Sequence, residues 1–355
     1  MVMRKLWLTI VALVGTSLWW ADTVQAAGPS VQSEIGFSVA AKQASNQINH
    51  HVSFFDLKMA PGQRETLQTT IYNTTDHEIT VEHAVHTAYT NPSGELEYIT
   101  PAKKYDPSLK YRLDQLTHID GEHKVTVPAH GERVVSATLT MPGSDFHGTL
   151  LGGWYFKRIN DKVTGEVKGA TNIKNEYSYN IAIMCQLGEN PAPQMKLGTV
   201  HAGLFHYHQG IIVNLRNVTA VLIPALKLKT VISNRDTGTI VKSASQKRVY
   251  MAPNSGYQDS LLLRSQPLRA GRYHLKLDAT NHDHHWHFER DFTITDDDAH
   301  KFNQKSVDIK PDKTWLFMLL SSLATLLLVV IIWGVWLWWH RRKERRTMQV
   351  GEKNE

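Results

Sequence analysis

Histidine is the residue type in this chain that could most readily do chemistry, because there are 19 of them. Four form a short cluster: His282, His284, His285 and His287. In an extended strand His285 and His287 would share one face, since side chains alternate between the two faces of a strand. Two imidazoles bind a metal ion only weakly, and the sequence supplies no firm third ligand. We therefore predict no metal site here.

A response to acid is the other chemistry that this cluster could provide. Imidazole titrates near pH 6.5, so these four histidines are candidates for gaining charge in mild acid. The hypothesis is that the protein then becomes more cationic and holds anionic wall polymers more tightly. The plainer alternative is a hydrophilic surface that happens to be rich in histidine, and the sequence leaves both open.

Sequence motifs for catalysis are missing. The chain has no Gly-x-Ser-x-Gly, Ser-x-x-Lys or His-Glu-x-x-His motif and no glycine-rich loop for phosphates. Its single cysteine, Cys185, shares one face of a predicted strand with Ile181, Ile183 and Leu187, which predicts a buried position rather than a reactive thiol. We predict a protein that is not an enzyme and needs no cofactor.

The N-terminus predicts a secretory signal peptide over residues 1–26. Arg4 and Lys5 precede an apolar run from 6 to 20, and Val24-Gln25-Ala26 places small residues at the −3 and −1 positions. We expect cleavage after Ala26. An uncleaved anchor is the alternative, although the run is short for a span of about 20 residues.

The C-terminus predicts a membrane helix. Residues 315–339 contain no charged residue, and as a helix they would extend about 37 Å against a hydrocarbon core of about 30 Å. Five of the next six residues after His340 are basic, which favours a cytoplasmic tail at 340–355. A buried core helix is the alternative. We therefore predict a protein that crosses the cell membrane once and has its extracellular domain within or beyond the cell wall.

Charge and cysteine content narrow the class of protein further. The formal net charge is +6, but six basic and three acidic residues lie in 340–355, so the remainder is close to neutral. Nucleic acid is therefore not a predicted partner. One cysteine allows no internal disulfide, which fits a Gram-positive surface protein better than an animal secretory protein.

The part between the two ends predicts an all-β fold. Apolar and polar residues alternate over 177–187, 79–89 and 273–279, and turn sequences such as Asn91-Pro92-Ser93-Gly94 separate the runs. We predict two tandem immunoglobulin-like β-sandwiches followed by the single transmembrane helix.

The domain boundary is predicted at 188–193, with 161–175 as a weaker rival. The strand at 177–187 could close the first sandwich or begin the second, and 296–313 reads as a polar stalk. Pro-x-x-Gly turns at Pro128 and Pro253 suggest that the two sandwiches are related.

Several segments together resemble a known family, although no single motif is specific. They are Phe37-Ser38-Val39, 54–63, Asn73, 90–94 with Tyr98, 147–153, and a second region up to Ile294. In this order they are similar to the WxL-interacting proteins of Gram-positive bacteria, which combine a DUF916 and a DUF3324 region with a C-terminal anchor. Phe54 departs from the Tyr expected there.

The resemblance implies binding rather than catalysis. It implies a peptidoglycan-binding domain over 30–187 and a domain that binds host or partner proteins over 188–306, with the family similarity of the second beginning near 166. Expected partners are peptidoglycan, WxL-domain surface proteins and host extracellular-matrix proteins. Candidate glycan-stacking residues are Phe54, Phe55, Trp154 and Tyr155. The alternative for Trp154 is that it faces inward and fills the core. A wall-modifying or ligand-sensing surface protein remains the alternative function.

Overall fold

The structure is a computed structural model that describes residues 36–143, 146–159, 176–310 and 313–351. The expected signal peptide at 1–26 and the rival boundary at 161–175 lie outside these ranges. Twelve elements form the first part: β1 (Phe37–Lys42), β2 (Phe55–Met59), β3 (Arg64–Asn73), β4 (Ile79–Thr87), β5 (Tyr89–Thr90), β6 (Leu96–Glu97), α1 (Leu113–Leu116), β7 (Thr117–Asp120), β8 (Lys124–Val127), β9 (Glu132–Thr140), β10 (Gly148–Ile159) and β11 (Ser178–Leu187).

Nine further elements complete the described chain: β12 (Met195–Phe205), β13 (His208–Asn217), β14 (Ile223–Asn234), β15 (Ile240–Met251), β16 (Ser255–Leu262), β17 (Gly271–Thr280), β18 (His285–Ile294), α2 (Asp296–Lys305) and α3 (Thr314–Gly351). The predicted all-β architecture of two immunoglobulin-like sandwiches before one apolar helix is confirmed.

The first sandwich packs a sheet of order β1-β3-β9-β7 on a sheet of order β2-β11-β10-β4-β8. β2 joins β11 in parallel, whereas β11 pairs with β10 antiparallel. These pairings place β11 in the first sandwich and resolve the alternative that the sequence left open. We therefore keep the boundary after Leu187 as our proposed division.

The second sandwich repeats the strand order of the first. Its sheet β12-β13-β16 corresponds to β1-β3-β9, and its sheet β15-β14-β17-β18 corresponds to β8-β4-β10-β11. The extra strands β2 and β7 occur in the first sandwich, and no described strand takes their place in the second.

A buried asparagine at the same corner of each sandwich supports the relation between them. Asn73 ends β3 and donates from its amide to the carbonyl oxygens of His77, Val127 and Pro128 at 2.7–3.1 Å. Asn217 ends β13 and donates to the carbonyl oxygens of Val221 and Ala252 at 2.7 and 2.9 Å.

The residue two places later is bound in the same way in both copies. The Thr75 hydroxyl donates to the Asn73 side-chain oxygen at 2.7 Å, and the Thr219 hydroxyl donates to that of Asn217 at 2.8 Å. Both Asn-x-Thr sequences therefore form a corner of the fold, because the hydroxyl and the amide satisfy buried polar groups there.

Histidine and tryptophan meet inside the first core. The Trp154 indole Nε1 donates to His83 Nδ1 at 3.1 Å, and His83 Nε2 lies 3.1 Å from the carbonyl oxygen of Glu122. Since Nδ1 accepts, Nε2 must carry the proton and donate to that carbonyl. His83 is 1% exposed, and burial lowers its pKa to about 4. The imidazole is therefore neutral at pH 7.

A polar junction connects the two sandwiches. The Arg216 guanidinium of β13 donates to both carboxylate oxygens of Asp106 at 2.6 and 2.7 Å. The backbone N–H of Ala252 donates to the Thr90 hydroxyl at 2.9 Å, and that of Thr90 donates to the Ser255 hydroxyl at 2.9 Å. The first sandwich reaches this junction through the segment that carries β5 and β6. Beside the predicted linker, the Thr149 N–H also donates to the Ala220 carbonyl oxygen at 2.7 Å.

Gly94 allows close packing at this junction. Its φ is +79°, and a Cβ there would lie 3.0 Å from the Val249 side chain. The backbone N–H of Tyr250 also donates to the Gly94 carbonyl at 2.7 Å. A larger residue at 94 would therefore both strain the turn and push the strand away.

The segment after β18 is a helix rather than the predicted polar stalk. Thr295 caps α2, because its side chain accepts a hydrogen bond from the Asp298 N–H at 3.1 Å, and three aspartates occupy the first turn. Ala299 is buried and Phe302 packs against the second core. The stretch from 296 to 305 thus belongs to the second sandwich, where its apolar side is covered.

Candidate functional site

Two of the four residues predicted to bind glycan lie inside the first core. Phe55 and Trp154 have no exposed surface, and their ring centroids are 6.5 Å apart. The prediction is corrected for these two residues, because strand alternation turns both side chains toward the opposite sheet. Phe54 is half-buried against the same core. Tyr155, in contrast, points to the outer side of the β4-β10-β11 sheet.

Tyr155 belongs to a group of aromatic side chains on that outer surface. Its ring is nearly parallel to the imidazole of His86, with centroids 5.9 Å apart and planes at 27°. His86 Nδ1 donates to the carbonyl oxygen of Tyr98 at 3.2 Å, which brings the second tyrosine over the same strands. We call the surface made by His86, Tyr98, Tyr155 and Asn180 the tyrosine face. All four residues are half-buried.

The floor of the tyrosine face is made by a glycine. A Cβ at Gly153 would lie 2.6–2.8 Å from the amide of Asn180 and the ring of Tyr98, so both groups rest directly on the β10 backbone. Only glycine permits this approach. The Asn180 amide lies under Tyr98, and neither its oxygen nor its nitrogen has a hydrogen-bond partner among the described residues.

Sequence reasoning found Tyr155 but missed the other three members of this face. The pair Gly152-Gly153 was the available signal, because glycine inside a strand often marks a close approach of another group. Tyr98 could not be placed, since it follows the two-residue strand β6 and reaches the face through tertiary contacts.

The histidine cluster lies on the second sandwich, at the start of β18. His285 Nε2 and His287 Nδ1 both lie near the same oxygen of Asp278 on β17, at 3.1 and 2.8 Å. His287 also contacts Glu289 at 3.4 Å through Nε2. Asp278 is therefore the neighbouring group that sequence reasoning could not supply. Within the described ranges, no three His, Cys, Asp or Glu side chains are arranged to hold a metal ion.

The other two members of the cluster lie just before the strand. His284 stacks on Trp286 with centroids 5.4 Å apart, and His282 Nδ1 lies 2.6 Å from Asp283. Hydrogen bonds to Asp278 and Glu289 raise the pKa of His287, and a hydrogen bond to Asp283 raises that of His282. For these two residues the neighbouring carboxylates favour the protonated form, as a response to acid requires.

One helix of the described chain is long and apolar enough to cross a membrane. It covers Thr314–His340, 27 residues with a mean hydropathy of 2.6, and none of it is buried against the sandwiches. An exposed apolar helix of this length is suited to a single-pass anchor.

Solved structures with a similar fold include several chaperones of fimbriae and pili. The E. coli chaperone DraB shares 15% identity, over 72% of this chain and 95% of its own, with a TM-score of 0.27. The CsuC–CsuE chaperone–tip adhesin pre-assembly complex of Acinetobacter baumannii shares 10%, over 67% and 94%, with a TM-score of 0.33. Scores this low support no argument about function. A search of curated proteins found no match.

Two family descriptions cover most of the chain. Residues 37–158 match the peptidoglycan binding domain of the WxL Interacting Protein family, and residues 168–304 match its host binding domain. The order of the two domains and the apolar helix that follows them agree with the resemblance seen in the sequence. The chain belongs to the WxL-interacting protein family.

Proposed function

We propose that this protein is a non-catalytic adaptor of the cell surface, anchored by α3, that binds peptidoglycan through its first sandwich and partner proteins through its second. The observation that carries the proposal is the order of a peptidoglycan-binding domain, a host-binding domain and an exposed apolar helix in one chain. The junction at Asp106 and Arg216 supports it, because a fixed arrangement of the two sandwiches keeps two binding surfaces at a constant separation.

The tyrosine face is our proposed glycan contact. Sugar rings present C–H groups that pack on aromatic rings, and Tyr155 with His86 offers two nearly parallel rings for this. Burial raises the pKa of Tyr98, so its phenol stays protonated and can donate to a sugar oxygen.

Sedimentation with purified cell walls tests this site. Full-length protein in detergent micelles is mixed with walls and pelleted, and the bound fraction gives the affinity. We expect Tyr155→Ala to weaken binding about tenfold, which corresponds to about 1.4 kcal/mol. Tyr72→Ala is the matched control, because Tyr72 is 38% exposed on the other sheet of the same sandwich.

Two outcomes would count against the proposal. Equal binding by the Tyr155→Ala variant and the wild type would move the glycan site away from the tyrosine face. Soluble wall fragments in the supernatant would show that the protein modifies the wall, and the non-catalytic function would then be abandoned.

The proposed partners of the second sandwich are WxL-domain surface proteins and host extracellular-matrix proteins. Support comes from the family to which residues 168–304 belong. Immobilised full-length protein can be probed with a purified WxL-domain protein and with a purified matrix protein. If neither binds above the level seen with an unrelated β-sandwich, this part of the proposal fails.

We also propose that the C-terminus faces the cytoplasm. Basic residues after a span stay on the cytoplasmic side, and five of the six residues after His340 are basic. A protease-cleavable tag after Glu355 should resist protease on intact cells and be cleaved after lysis. Cleavage on intact cells would reverse the orientation.

A further inference from the structure

The last strand of the second sandwich has one edge without a described strand partner. β18 pairs with β17 and ends the sheet. The equivalent strand of the first sandwich, β11, pairs with β10 on one side and with β2 on the other. The fold therefore accommodates a further strand at this position, and in the first sandwich the chain itself provides it.

Side chains along β18 alternate between two surfaces. The register with β17 places His285, His287, Glu289 and Asp291 on the outer face and Trp286, Phe288 and Arg290 on the inner face. Trp286 and Phe288 are half-buried and pack against the edge of the second core. The open edge thus offers apolar surface on one side and alternating charge on the other.

We propose that β18 pairs antiparallel with β18 of a second copy of this chain, with Phe288 at the two-fold axis. In that register His287 of each copy lies opposite Glu289 of the other, and His285 lies opposite Asp291. Such a contact is isologous, since the same residues meet from both sides.

Charge complementarity selects this register. Opposite charges placed across two strands stabilise the pair, and like charges destabilise it. A shift of the second copy by two residues would instead place His287 opposite His287, or Glu289 opposite Glu289. On the inner face the proposed register places Arg290 opposite Trp286, while the Arg290 guanidinium donates to the carbonyl oxygens of Gly198 and Leu197 on β12 of its own chain.

Charged and titratable side chains of β17 in the same chain face these four outer residues of β18. Asp278 faces His285 and His287, Lys276 lies 3.1 Å from Glu289, and His274 lies 2.7 Å from Asp291.

Arg235 also contacts Asp291, at 2.7 Å, and His274 lies 3.7 Å from Glu289. With neutral imidazoles the carboxylates of the second copy find no new positive partner on β18. Protonated His287 provides one, and its hydrogen bonds to Asp278 and Glu289 raise its pKa, so association should strengthen from pH 8 to pH 6 and weaken again once the carboxylates are protonated.

The contact is small, so the dimer should be weak in solution. Seven residues from each copy form the pairing, less than the surface of a standard stable interface. The membrane helix compensates, because confinement of both copies to one surface raises their effective concentration. The association is therefore expected between chains in the same membrane.

A cysteine pair tests the register in the full-length chain in lipid vesicles. Residues opposite each other in an antiparallel pair have Cα atoms about 4.5–5.5 Å apart, within the range for a disulfide. We expect a mixture of His287→Cys and Glu289→Cys chains to form disulfide-linked dimers under mild oxidation. Each variant alone should not, because two copies of residue 287 would lie about 8 Å apart. The native Cys185 is buried and does not interfere.

Lys247→Cys on the exposed part of β15, at the opposite edge of the same sheet, is the matched control. Mixed with either of the two variants, it should give no dimer. Energy transfer between labelled wild-type copies should rise several-fold from pH 8 to pH 6. The proposal is overturned if the mixture yields no dimer, or if single variants and the control cross-link as well as the mixture. The proposed β18 dimer goes beyond the proposed function, and a failure of glycan binding would leave the dimer proposal intact.

Discussion

Lowering the pH should destabilise the first sandwich through one buried histidine. His83 accepts the Trp154 N–H and donates to the Glu122 carbonyl, so the folded protein holds it neutral. Burial lowers its pKa from 6.5 to about 4. In the unfolded chain the imidazole is solvated and binds a proton below about pH 6.5. Acid therefore favours the unfolded state until the pH falls to the folded pKa.

The size of this effect follows from the two pKa values. At pH 7.5 neither state is protonated and the histidine contributes almost nothing to the pH dependence. At pH 4.5 the unfolded histidine is charged and the folded one mostly is not, so the free energy of unfolding falls by about 2.5 kcal/mol. Stability from the neutral form is thus present above pH 6.5 and is lost between about pH 6.5 and pH 4.

Asp259 should act in the opposite direction in the second sandwich. It is 1% exposed, and burial raises its pKa from 3.8 to about 6. Here the folded state binds the proton more readily, so acidification from pH 7.5 to pH 4.5 should raise the free energy of unfolding by about 2 kcal/mol. The two sandwiches should therefore respond to acid with opposite signs.

Hydrogen exchange of the full-length chain, read peptide by peptide, separates the two responses. His83→Gln keeps a donor and an acceptor but cannot titrate, so the loss of stability that His83 causes in the first sandwich at pH 4.5 should disappear. Asp259→Asn should remove the increase in stability that acid causes in the second sandwich. If the wild type and His83→Gln lose equal protection in acid, buried His83 is not the responsible group and the reasoning is refuted.

Three further predictions follow from buried contacts. Arg216→Ala leaves the Asp106 carboxylate without its cation and should lower the free energy of unfolding by about 2–3 kcal/mol in chemical denaturation. Arg216→Lys should recover only part of this loss, since lysine lacks the planar fork. An unchanged denaturation midpoint would show that the junction contributes nothing to stability. Asn73→Ala and Asn217→Ala should each cost about 3 kcal/mol by loss of buried hydrogen bonds, measured by melting of each sandwich; a loss in one alone would break the equivalence of the two corners. Burial raises the pKa of Cys185, so thiol reagents should label it only after denaturant is added, and fast labelling of native protein would contradict its position in the core.

Strand positions could be predicted from the sequence because alternation is a local property. The run at 177–187 became β11, and the run beginning at Ile79 became β4. Which face of a strand points inward was harder to predict in β10. There Trp154, Tyr155 and Phe156 are all aromatic, so hydrophobicity does not separate the two faces. Only the packing of this sheet against the β1-β3-β9-β7 sheet turns Trp154 inward and Tyr155 outward.

Features that depend on distant residues could not be predicted. Asp106 and Arg216 are 110 residues apart, and nothing in their local sequence indicates a contact. The same applies to Asp278, which meets the histidine cluster only because β17 and β18 pair in one register. Helix α2, in contrast, could have been predicted in place of the polar stalk, because Thr295 followed by three aspartates is a recognisable helix start.

The two sandwiches share a strand order but differ in the chemistry of one corresponding surface. In the first, the outer face of the β4-β10-β11 sheet carries Tyr155, His86 and a glycine floor, which suits a ligand with hydroxyls and apolar ring faces. In the second, the outer face of β14-β17-β18 carries Lys229, Lys276 and Glu289, and one edge of its last strand has no strand partner among the described residues. Charged side chains and free backbone groups recognise polypeptide better than they recognise a neutral sugar. A duplicated fold with these two surfaces is therefore better explained by two different kinds of partner than by two sites for one ligand.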